Sequence, residues 1–433
     1  MRWSAALRQT LMPVSSRLST PVIGRIPKRV TADEAVNIIN SNSSIYVHTQ
    51  ASTPTELLEA LCKRVDLHGL TDIRMMHVIL SGNVPWTDKR FIGKIRSNSM
   101  FLDSSTRPLV KQGFADYIPI FLSDITTFFR NKTFPLDYAL ISVTPPGQFL
   151  LIILSIDPRF YKILDKLGYC TIGVNVDTSL SAIESAKKII AVVNPNMPRT
   201  FGNTIIHQSR IESVVEVNRE IYGKPEGLRI TELSLFQEEK KIGELIAENL
   251  VEDGATLQLG IGAIPDSTLL AMKNHKDLGI HTELLGDGVM DLIERGVINN
   301  SRKSVMPGKE RDKELFEAVT SFAFGTQKFY KFLDNNPLIH FDCCSWTNDE
   351  GVIRANSRMT CINSGIEVDI TGQVVADSIG EMFYSGFGGQ VQFINAAATA
   401  HDGKGKAIIA MTSRTNKGKS KITTTLTEVL LCL

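Results

Sequence analysis

The sequence lacks the features that mark membrane-spanning and nucleic-acid-binding proteins. The apolar run "FLLIIL" at 149–154 is far shorter than the roughly 20 residues that a transmembrane helix needs. The net charge is only +1, with 47 Lys and Arg against 46 Asp and Glu, so no basic excess favours a nucleic-acid partner. Hydrophobic residues make up 43%, as in ordinary globular proteins. We therefore expect a globular protein whose partners include neither a membrane nor nucleic acid.

Cysteine is also scarce, and its placement is irregular. The chain has six cysteines and no C-x-x-C pair, which fits free thiols in a reducing compartment better than a disulfide framework or a zinc site. For the adjacent Cys343 and Cys344 we favour burial as small hydrophobic side chains over metal binding. The sequence therefore predicts no metal site.

Acidic residues are missing from the first 30 positions, which carry six Arg or Lys and four Ser. Trp3, Leu7 and Leu11 are spaced four apart and would share one face of a helix. A basic, Ser-rich, acid-poor amphipathic start is typical of a mitochondrial transit peptide, and a disordered basic tail is the alternative. We assign residues 1–30 to such a peptide and expect the mitochondrial matrix as the location.

Beyond Thr31 the chain alternates segments with helical and strand-like patterns, which predicts an α/β fold with largely parallel sheets. The two halves also resemble each other. "SIYVHTQASTPTELLEAL" and "ATLQLGIGAIPDSTLLAM" align at an offset of 211 residues, which places Pro54 on Pro265 and Leu58 on Leu269. We therefore expect two tandem related domains, at 31–225 and 226–433, with a site between them.

Two glycine-rich turns are candidate binding elements. "LGIGAIP" (259–265) is not a dinucleotide-binding fingerprint, because Pro265 occupies the place of the third glycine. Its glycines could still let backbone amides at a helix start approach an anion, although a tight turn without a ligand is the alternative. "YSGFGGQVQF" (384–393) could cradle a phosphate or a thioester oxygen in the same way.

A third candidate is Glu283, in "GIHTELLGDGVMDL" (279–292), a single carboxylate where a strand ends and a glycine turn begins. The ends of strands are common places for chemistry in α/β folds. A strand end is also an ordinary place for a solvated acid, which position alone favours over a catalytic residue. His281 would share a strand face with Glu283, and we interpret it as a neighbour rather than a catalyst.

Together these stretches resemble the acetyl-CoA hydrolase/transferase family, most closely its mitochondrial 4-hydroxybutyrate CoA-transferase type. The resemblance runs in order through most of residues 31–420. It rests on "HTQASTPTELLEAL", "GYCTIGVNVD", "VNPNMPRTFG", "GIGAIPDSTL", "GIHTELLGDGVMDL", "NSGIEVDITGQV" and "SGFGGQV". It implies two domains of the NagB/RpiA/CoA-transferase-like type and a homodimer.

The resemblance also implies an activity. A CoA-transferase would exchange CoA between a short acyl-CoA, such as acetyl-CoA, and a small carboxylate such as 4-hydroxybutyrate, butyrate, acetate or succinate. Coenzyme A is then a substrate, and no cofactor is needed. Glu283 would be the nucleophile, and Asn363 is interpreted as structural. The residues implied to contact CoA are Gly260, Ile261, Gly262, Ala263, Ile264, Gly386, Gly388, Gly389 and Lys406.

The chain departs from the family pattern at four places. The largely apolar segment 147–164 and the charged segment 310–318 read as insertions. After "GKSKI" the sequence leaves the family pattern, so we expect the second domain to be C-terminally truncated. Gln392 and Asn395 stand where the family usually has Asp and Arg. An acetyl-CoA hydrolase and a truncated, inactive isoform therefore remain alternatives to an active transferase.

Overall fold

A computed structural model describes residues 16–147, 167–225, 237–260, 262–306 and 317–427. Strands of the first half are β1 (Lys28–Arg29), β2 (Ser44–Val47), β3 (Ile73–His77), β4 (Ile95–Ser99), β5 (Asp116–Tyr117), β6 (Tyr138–Val143), β7 (Tyr169–Thr171), β8 (Lys188–Val193), β9 (Phe201–Gly202), β10 (Ile205–His207) and β11 (Ser213–Glu216). Its helices are α1 (Ala32–Ala35), α2 (Thr55–His68), α3 (Arg107–Lys111), α4 (Leu122–Arg130) and α5 (Ser179–Ser185).

The second half continues the alternation. Its helices are α6 (Gln237–Leu250), α7 (Ala263–Ala271), α8 (Asp287–Glu294), α9 (Gln327–Leu333), α10 (Cys344–Thr347), α11 (Glu350–Arg354) and α12 (Gln390–Ala398). Its strands are β12 (Thr256–Leu259), β13 (Gly279–Ile280), β14 (Leu284–Leu285), β15 (Ala318–Thr320), β16 (Phe322–Ala323), β17 (Ile339–Phe341), β18 (Met359–Ser364), β19 (Glu367–Asp369), β20 (Val374–Val375), β21 (Ser378–Ile379), β22 (Met382–Phe383), β23 (Lys406–Ala410) and β24 (Ile422–Thr423). Short 3₁₀ turns lie at Arg17–Ser19, Val36–Ile38, Gln50–Ser52, Pro85–Thr87, Lys89–Phe91 and Gln208–Arg210.

Over residues 16–147 and 167–225, the main sheet of the first half has eight strands in the order β1-β11-β8-β6-β2-β3-β4-β5, all of them parallel. Its central strands β6 and β8 are nearly continuous apolar runs, because helices cover both faces of such a sheet. The edge strand β1 lies inside the segment that we assign to the transit peptide. Ser16 is also tied to this half, because its hydroxyl donates to Glu184 at 2.6 Å.

The second half is built on a four-stranded parallel sheet in the order β13-β12-β18-β23. A bridge between His281 and Val319 links it to the three-stranded sheet β15-β17-β9. In that sheet, Phe201 and Gly202 of the first half pair in parallel with His340 and Phe341 of the second. The two halves therefore share a sheet.

A common apolar core continues across the same boundary. One cluster of buried side chains holds Ile172 and Val176 of the first half together with Leu285 and Phe341 of the second. The segment that follows β7 also bonds to β16, the partner of the strand that begins just after Glu283, because the Ala323 N–H donates to the Val174 carbonyl at 2.9 Å. This packing places the strand ends of the second half against loops of the first.

The predicted α/β class with mostly parallel sheets is confirmed, and several helices are confirmed closely. Helix α6 covers the whole of "QEEKKIGELIAENL". The strand expected over "CTIGVNVD" (170–177) is wrong beyond Thr171, because Gly173 takes a φ of 71° that an extended strand cannot hold. Apart from Gly147, the segment 147–164 lies outside the described residues, as do Ile261 and most of 310–318. Within the described ranges, no helix is long and apolar enough to cross a bilayer.

Candidate active site

The backbone of Glu283 is fixed by the strands around it. Its carbonyl accepts hydrogen bonds from the backbone N–H groups of Ser321 and Phe322, both at 3.0 Å. The hydroxyl of Thr320 donates to the same oxygen, also at 3.0 Å. Strand β14 begins at the next residue and pairs in parallel with β16. Three donors on one carbonyl hold this residue in a single orientation, so the position of its carboxylate is set by the fold.

Two groups of the second half face the Glu283 carboxylate. The Asn348 amide donates to its Oε2 at 2.8 Å, and Asn348 itself is fully buried. Gly389 lies so close that a Cβ atom there would collide with the carboxylate and with the Asn348 amide. The Gly389 N–H favours the ionised form of the carboxylate. Backbone and amide donors thus converge on one carboxylate, an arrangement that can stabilise negative charge.

Burial, together with a smaller effect of the nearby Asp177 carboxylate, raises the pKa of Glu283 to about 7. The hydrogen bonds from Asn348 and Gly389 act in the opposite direction. Asp177 belongs to the first half, is buried, and accepts from the Thr49 hydroxyl at 2.7 Å and the Ser179 hydroxyl at 2.8 Å. A carboxylate with this environment is a candidate for chemistry near neutral pH.

Glu283 lines a cavity of about 30 Å³ between the two halves. The first half supplies most of the wall and the second half supplies Glu283 and Phe322. The remaining lining residues are Thr49, Gln50, Val78, Ile79, Phe101, Leu122 and Asp177. The expectation of a site between the halves therefore agrees with the position of this cavity.

The glycine run 386–389 lies beside Glu283, the candidate nucleophile. Gly389 faces the carboxylate, while Gly386 and Gly388 lie against Phe101, another cavity residue. The other turn approaches through its neighbour: the Leu259 N–H donates to the Thr282 hydroxyl at 3.3 Å, one residue before Glu283.

The turn itself joins β12 to α7. Gly260 lies against Asn363, and Gly262 takes a φ of 136° that favours glycine. Ala263 and Ile264 open helix α7, whereas Ile261 lies outside the described residues. Contact of this turn with CoA stays a prediction.

Lys406 is not brought to Glu283. It opens β23, pairs in register with Thr360 near the start of β18, and its ammonium contacts Glu252 at 2.9 Å. Glu283 lies near the C-terminal ends of these parallel strands, whereas Lys406 is at the N-terminal end of β23. Four residues of strand, or about 13 Å, separate the two ends of β23. Contact between Lys406 and CoA stays a prediction.

The two polar residues interpreted as non-catalytic have structural partners. Asn363 and Gln258 exchange amide hydrogen bonds at 2.8 and 3.2 Å. The His281 ring is buried, and its Nε2 contacts the Thr347 carbonyl at 2.7 Å. Burial lowers the pKa of His281 to about 3, so the ring is neutral and Nε2 is the donor. His281 therefore supports the residue that precedes Asn348.

The site residues that were not predicted from the sequence include three polar ones, Gln50, Asp177 and Asn348. Gln50 is buried with a φ of 40°, a conformation that a non-glycine residue adopts mainly where the surroundings impose it. The internal repeat could have indicated it, because the offset of 211 residues places Gln50 on Ile261 of the glycine turn. Asp177 and Asn348 carried no local signal of this kind.

Comparison with known protein families assigns the chain to a family. The model of the acetyl-CoA hydrolase/transferase N-terminal domain matches residues 26–156 and 161–223. The model of the corresponding C-terminal domain matches residues 325–431. The chain belongs to the acetyl-CoA hydrolase/transferase family. The predicted family and the CoA-transferase class of enzyme are thereby confirmed, whereas Glu283 lies between the two matched regions.

Members of the acetyl-CoA hydrolase/transferase family resemble the chain over most of its length. A succinyl-CoA:acetate/propanoyl-CoA:succinate CoA transferase of Fasciola hepatica is 42% identical, covering 93% of this chain and 77% of its own. A 4-hydroxybutyrate coenzyme A transferase of Clostridium kluyveri is 41% identical, with coverages of 92% and 84%. The crystal structure of a 4-hydroxybutyrate CoA-transferase from Porphyromonas gingivalis superposes with a TM-score of 0.73 at 30% identity, covering 93% and 85%.

Proposed function

We propose that the chain exchanges CoA between a short acyl-CoA and a small carboxylate, with Glu283 as the nucleophile. The observation that carries this proposal is the convergence of the Asn348 amide and the Gly389 backbone on the Glu283 carboxylate, inside a cavity between the two halves. A carboxylate suits this reaction because its anhydride and thioester derivatives keep the reactivity of the original thioester.

The reaction proceeds by four acyl transfers. The Glu283 carboxylate attacks the thioester carbonyl, the C–S bond breaks, and CoA leaves as a thiolate from an acyl-glutamyl anhydride. The thiolate attacks the glutamyl carbonyl of the anhydride and releases the first carboxylate, which leaves a glutamyl-CoA thioester. In the third step the second carboxylate attacks the glutamyl-CoA thioester, the C–S bond breaks, and CoA thiolate leaves from a new acyl-glutamyl anhydride. In the fourth step the thiolate attacks the acyl carbonyl of that anhydride, which frees the Glu283 carboxylate and gives the new acyl-CoA. Gly389 and Asn348 offer hydrogen-bond donors for the oxyanion that forms at Glu283 in the second and third steps.

The substrates follow from the relatives and stay part of the proposal. The similar proteins are named for succinyl-CoA, acetate, propanoyl-CoA and 4-hydroxybutyrate. We propose acetyl-CoA as a donor and 4-hydroxybutyrate, butyrate, acetate or succinate as the range of acceptors. The scheme uses the Glu283 carboxylate, the Asn348 amide and the Gly389 backbone N–H. It treats CoA as a substrate and involves no cofactor.

An exchange experiment tests the proposal. The chain is incubated with acetyl-CoA and deuterated acetate, and labelled acetyl-CoA and free CoA are followed by mass spectrometry. Transfer predicts rapid labelling with little free CoA, and a Glu283→Ala variant should show none. Release of free CoA at the same rate with and without acetate would indicate the hydrolase alternative. Folded protein that does neither would overturn the proposal.

We further propose import into the mitochondrial matrix and assembly as a homodimer. The first proposal rests on the basic, acid-free start of the chain, and the second on the family resemblance. Fusion of residues 1–30 to a fluorescent protein tests import, and retention of the reporter in the cytosol would contradict it. Light scattering on the purified chain tests the dimer, and a monomer mass at working concentration would contradict it.

A further inference from the structure

The cavity beside Glu283 is lined mainly by apolar side chains and by acids. Most of its wall is apolar, formed by Val78, Ile79, Phe101, Leu122 and Phe322. Among the described residues that line it, none is Lys, Arg or His. Its two charged side chains are both acids, Asp177 and Glu283.

The cavity is also narrow, with a volume of about 30 Å³. Each carbon that an acyl chain adds beyond its carbonyl has to fit among the side chains of the wall, so accommodation becomes more costly as the chain lengthens. A succinyl chain extends a propionyl chain by a carboxylate.

The part of the wall formed by the start of helix α4 is held in place by contacts with the glycine run 386–389. The Leu122 N–H donates to the Gly388 carbonyl at 3.1 Å. The Phe121 ring contacts the Phe387 ring with centroids 5.7 Å apart. Ser123 accepts a hydrogen bond from the Gln392 amide. Enlarging the cavity on this side would disturb the turn that faces Glu283.

Of the lining residues that the structure describes, only Gln50 carries a side-chain amide. Its Oε1 is buried and has no hydrogen-bond partner in the described part of the chain. An amide can bond to a hydroxyl or carbonyl group, but it cannot neutralise a carboxylate. A buried, unpaired carboxylate is costly, and Asp177 would add repulsion between like charges.

Resting on the proposed function, we infer that this cavity is the acyl-selecting pocket and that it favours short uncharged acyl groups over dicarboxylic ones. Acetyl and propionyl groups match its narrow space and its apolar wall. A succinyl group would place its second carboxylate against apolar side chains and beside Asp177. Among the proposed acceptors, acetate should therefore react fastest and succinate most slowly.

The test compares acyl-CoA donors in the exchange reaction of the full chain. Acetyl-, propionyl-, butyryl-, hexanoyl- and succinyl-CoA are each supplied with deuterated acetate, and kcat/KM is measured for each donor. Acetyl- and propionyl-CoA should exceed succinyl-CoA by about tenfold or more, the discrimination expected of a tight pocket that excludes a poorly fitting group. Succinyl-CoA equal to or better than acetyl-CoA would overturn the inference and leave the transferase proposal standing. No exchange with any donor would overturn both.

A variant with an enlarged cavity tests the same inference. Leu122→Ala enlarges the apolar wall, so the ratio of hexanoyl-CoA to acetyl-CoA activity should rise by about tenfold, with no such gain for succinyl-CoA. Ile125→Ala is the matched control, because Ile125 is fully buried in the same helix and does not line the cavity. Equal effects of the two variants would contradict the assignment. If Leu122→Ala does not fold, the donor series of the unaltered chain decides.

Discussion

Replacing Asn348 by Ala should make the enzyme require a higher pH. The Asn348 amide donates to the Glu283 carboxylate at 2.8 Å and favours its ionised form. The ionised form is the nucleophile, so activity should fall as the pH drops below the pKa of Glu283, which is about 7. Removal of the donor raises that pKa further and moves the acidic limb of the kcat/KM profile to higher pH.

The size of the shift follows from the hydrogen bond. A hydrogen bond to a charged group contributes about 1.5–3 kcal/mol, and one pKa unit corresponds to about 1.4 kcal/mol, so the limb should move by about one to two units. At pH 7 the ionised fraction would fall from about one half to about 1–10%, a loss of roughly five- to fiftyfold. The variant should regain at higher pH the activity that it lost through the raised pKa of Glu283. It should not regain the part of the rate that Asn348 contributes as an oxyanion donor.

The assay is the acetyl-CoA and acetate exchange rate between pH 5.5 and 9.5, a range of about two units around the predicted limb. Asn356→Ala is the control, because Asn356 is equally buried and its amide reaches only backbone carbonyls of helix α11. An Asn348→Ala profile with an unmoved acidic limb would refute the reasoning, even if the rate were lower throughout. So would an equal shift in the control.

Three further substitutions test other parts of the structure. Gly389→Ala should abolish exchange, since its methyl group would occupy the place of the Glu283 carboxylate; acyl-CoA turnover measures this. His281→Phe removes the donor to the Thr347 carbonyl and should lower kcat with little change in KM, shifting the acidic limb in the same direction as loss of Asn348. Phe129→Ala empties a fully buried position and should lower the free energy of unfolding by about 3–5 kcal/mol in a urea titration.

Each of these has an outcome that contradicts it. Near-normal exchange by Gly389→Ala would mean that Glu283 does not react where the structure places it. Gly286→Ala serves as the comparison, because its added Cβ atom meets only the Phe324 carbonyl at an ordinary 3.8 Å. A His281→Phe variant that loses stability but keeps its pH profile would assign His281 to the core alone. A Phe129→Ala variant with unchanged unfolding would contradict the packing around that ring.

The sequence was most informative where local patterns decide the structure. Helix α6 and strands β6 and β12 follow from apolar spacing within each segment, and alternation of such segments predicts parallel sheets. Glu283 was different, because its position after a strand is compatible with chemistry but is also an ordinary place for a solvated acid. It was singled out by its match to a family motif.

The remaining features depend on contacts between distant residues. Asp177 and Asn348 approach Glu283 from loops more than 60 residues away along the chain, so their neighbourhood leaves no periodic trace. The pairing of β9 with β17 across the two halves is equally non-local. Lys406 shows the reverse case: it lies close to the glycine run in sequence, but the register of β23 carries it to the other edge of the sheet.

The central claim is that Glu283 becomes covalently linked to CoA, and intact mass measurement tests it directly. The chain is incubated with acetyl-CoA, its mass is recorded, and the modified peptide is mapped beside a Glu283→Ala control. The structure predicts an increase of the mass of CoA less one water, located on Glu283, which disappears when acetate is added and is absent from the control. Folded protein with exchange activity but no adduct at Glu283, or an adduct on another residue, would contradict the account.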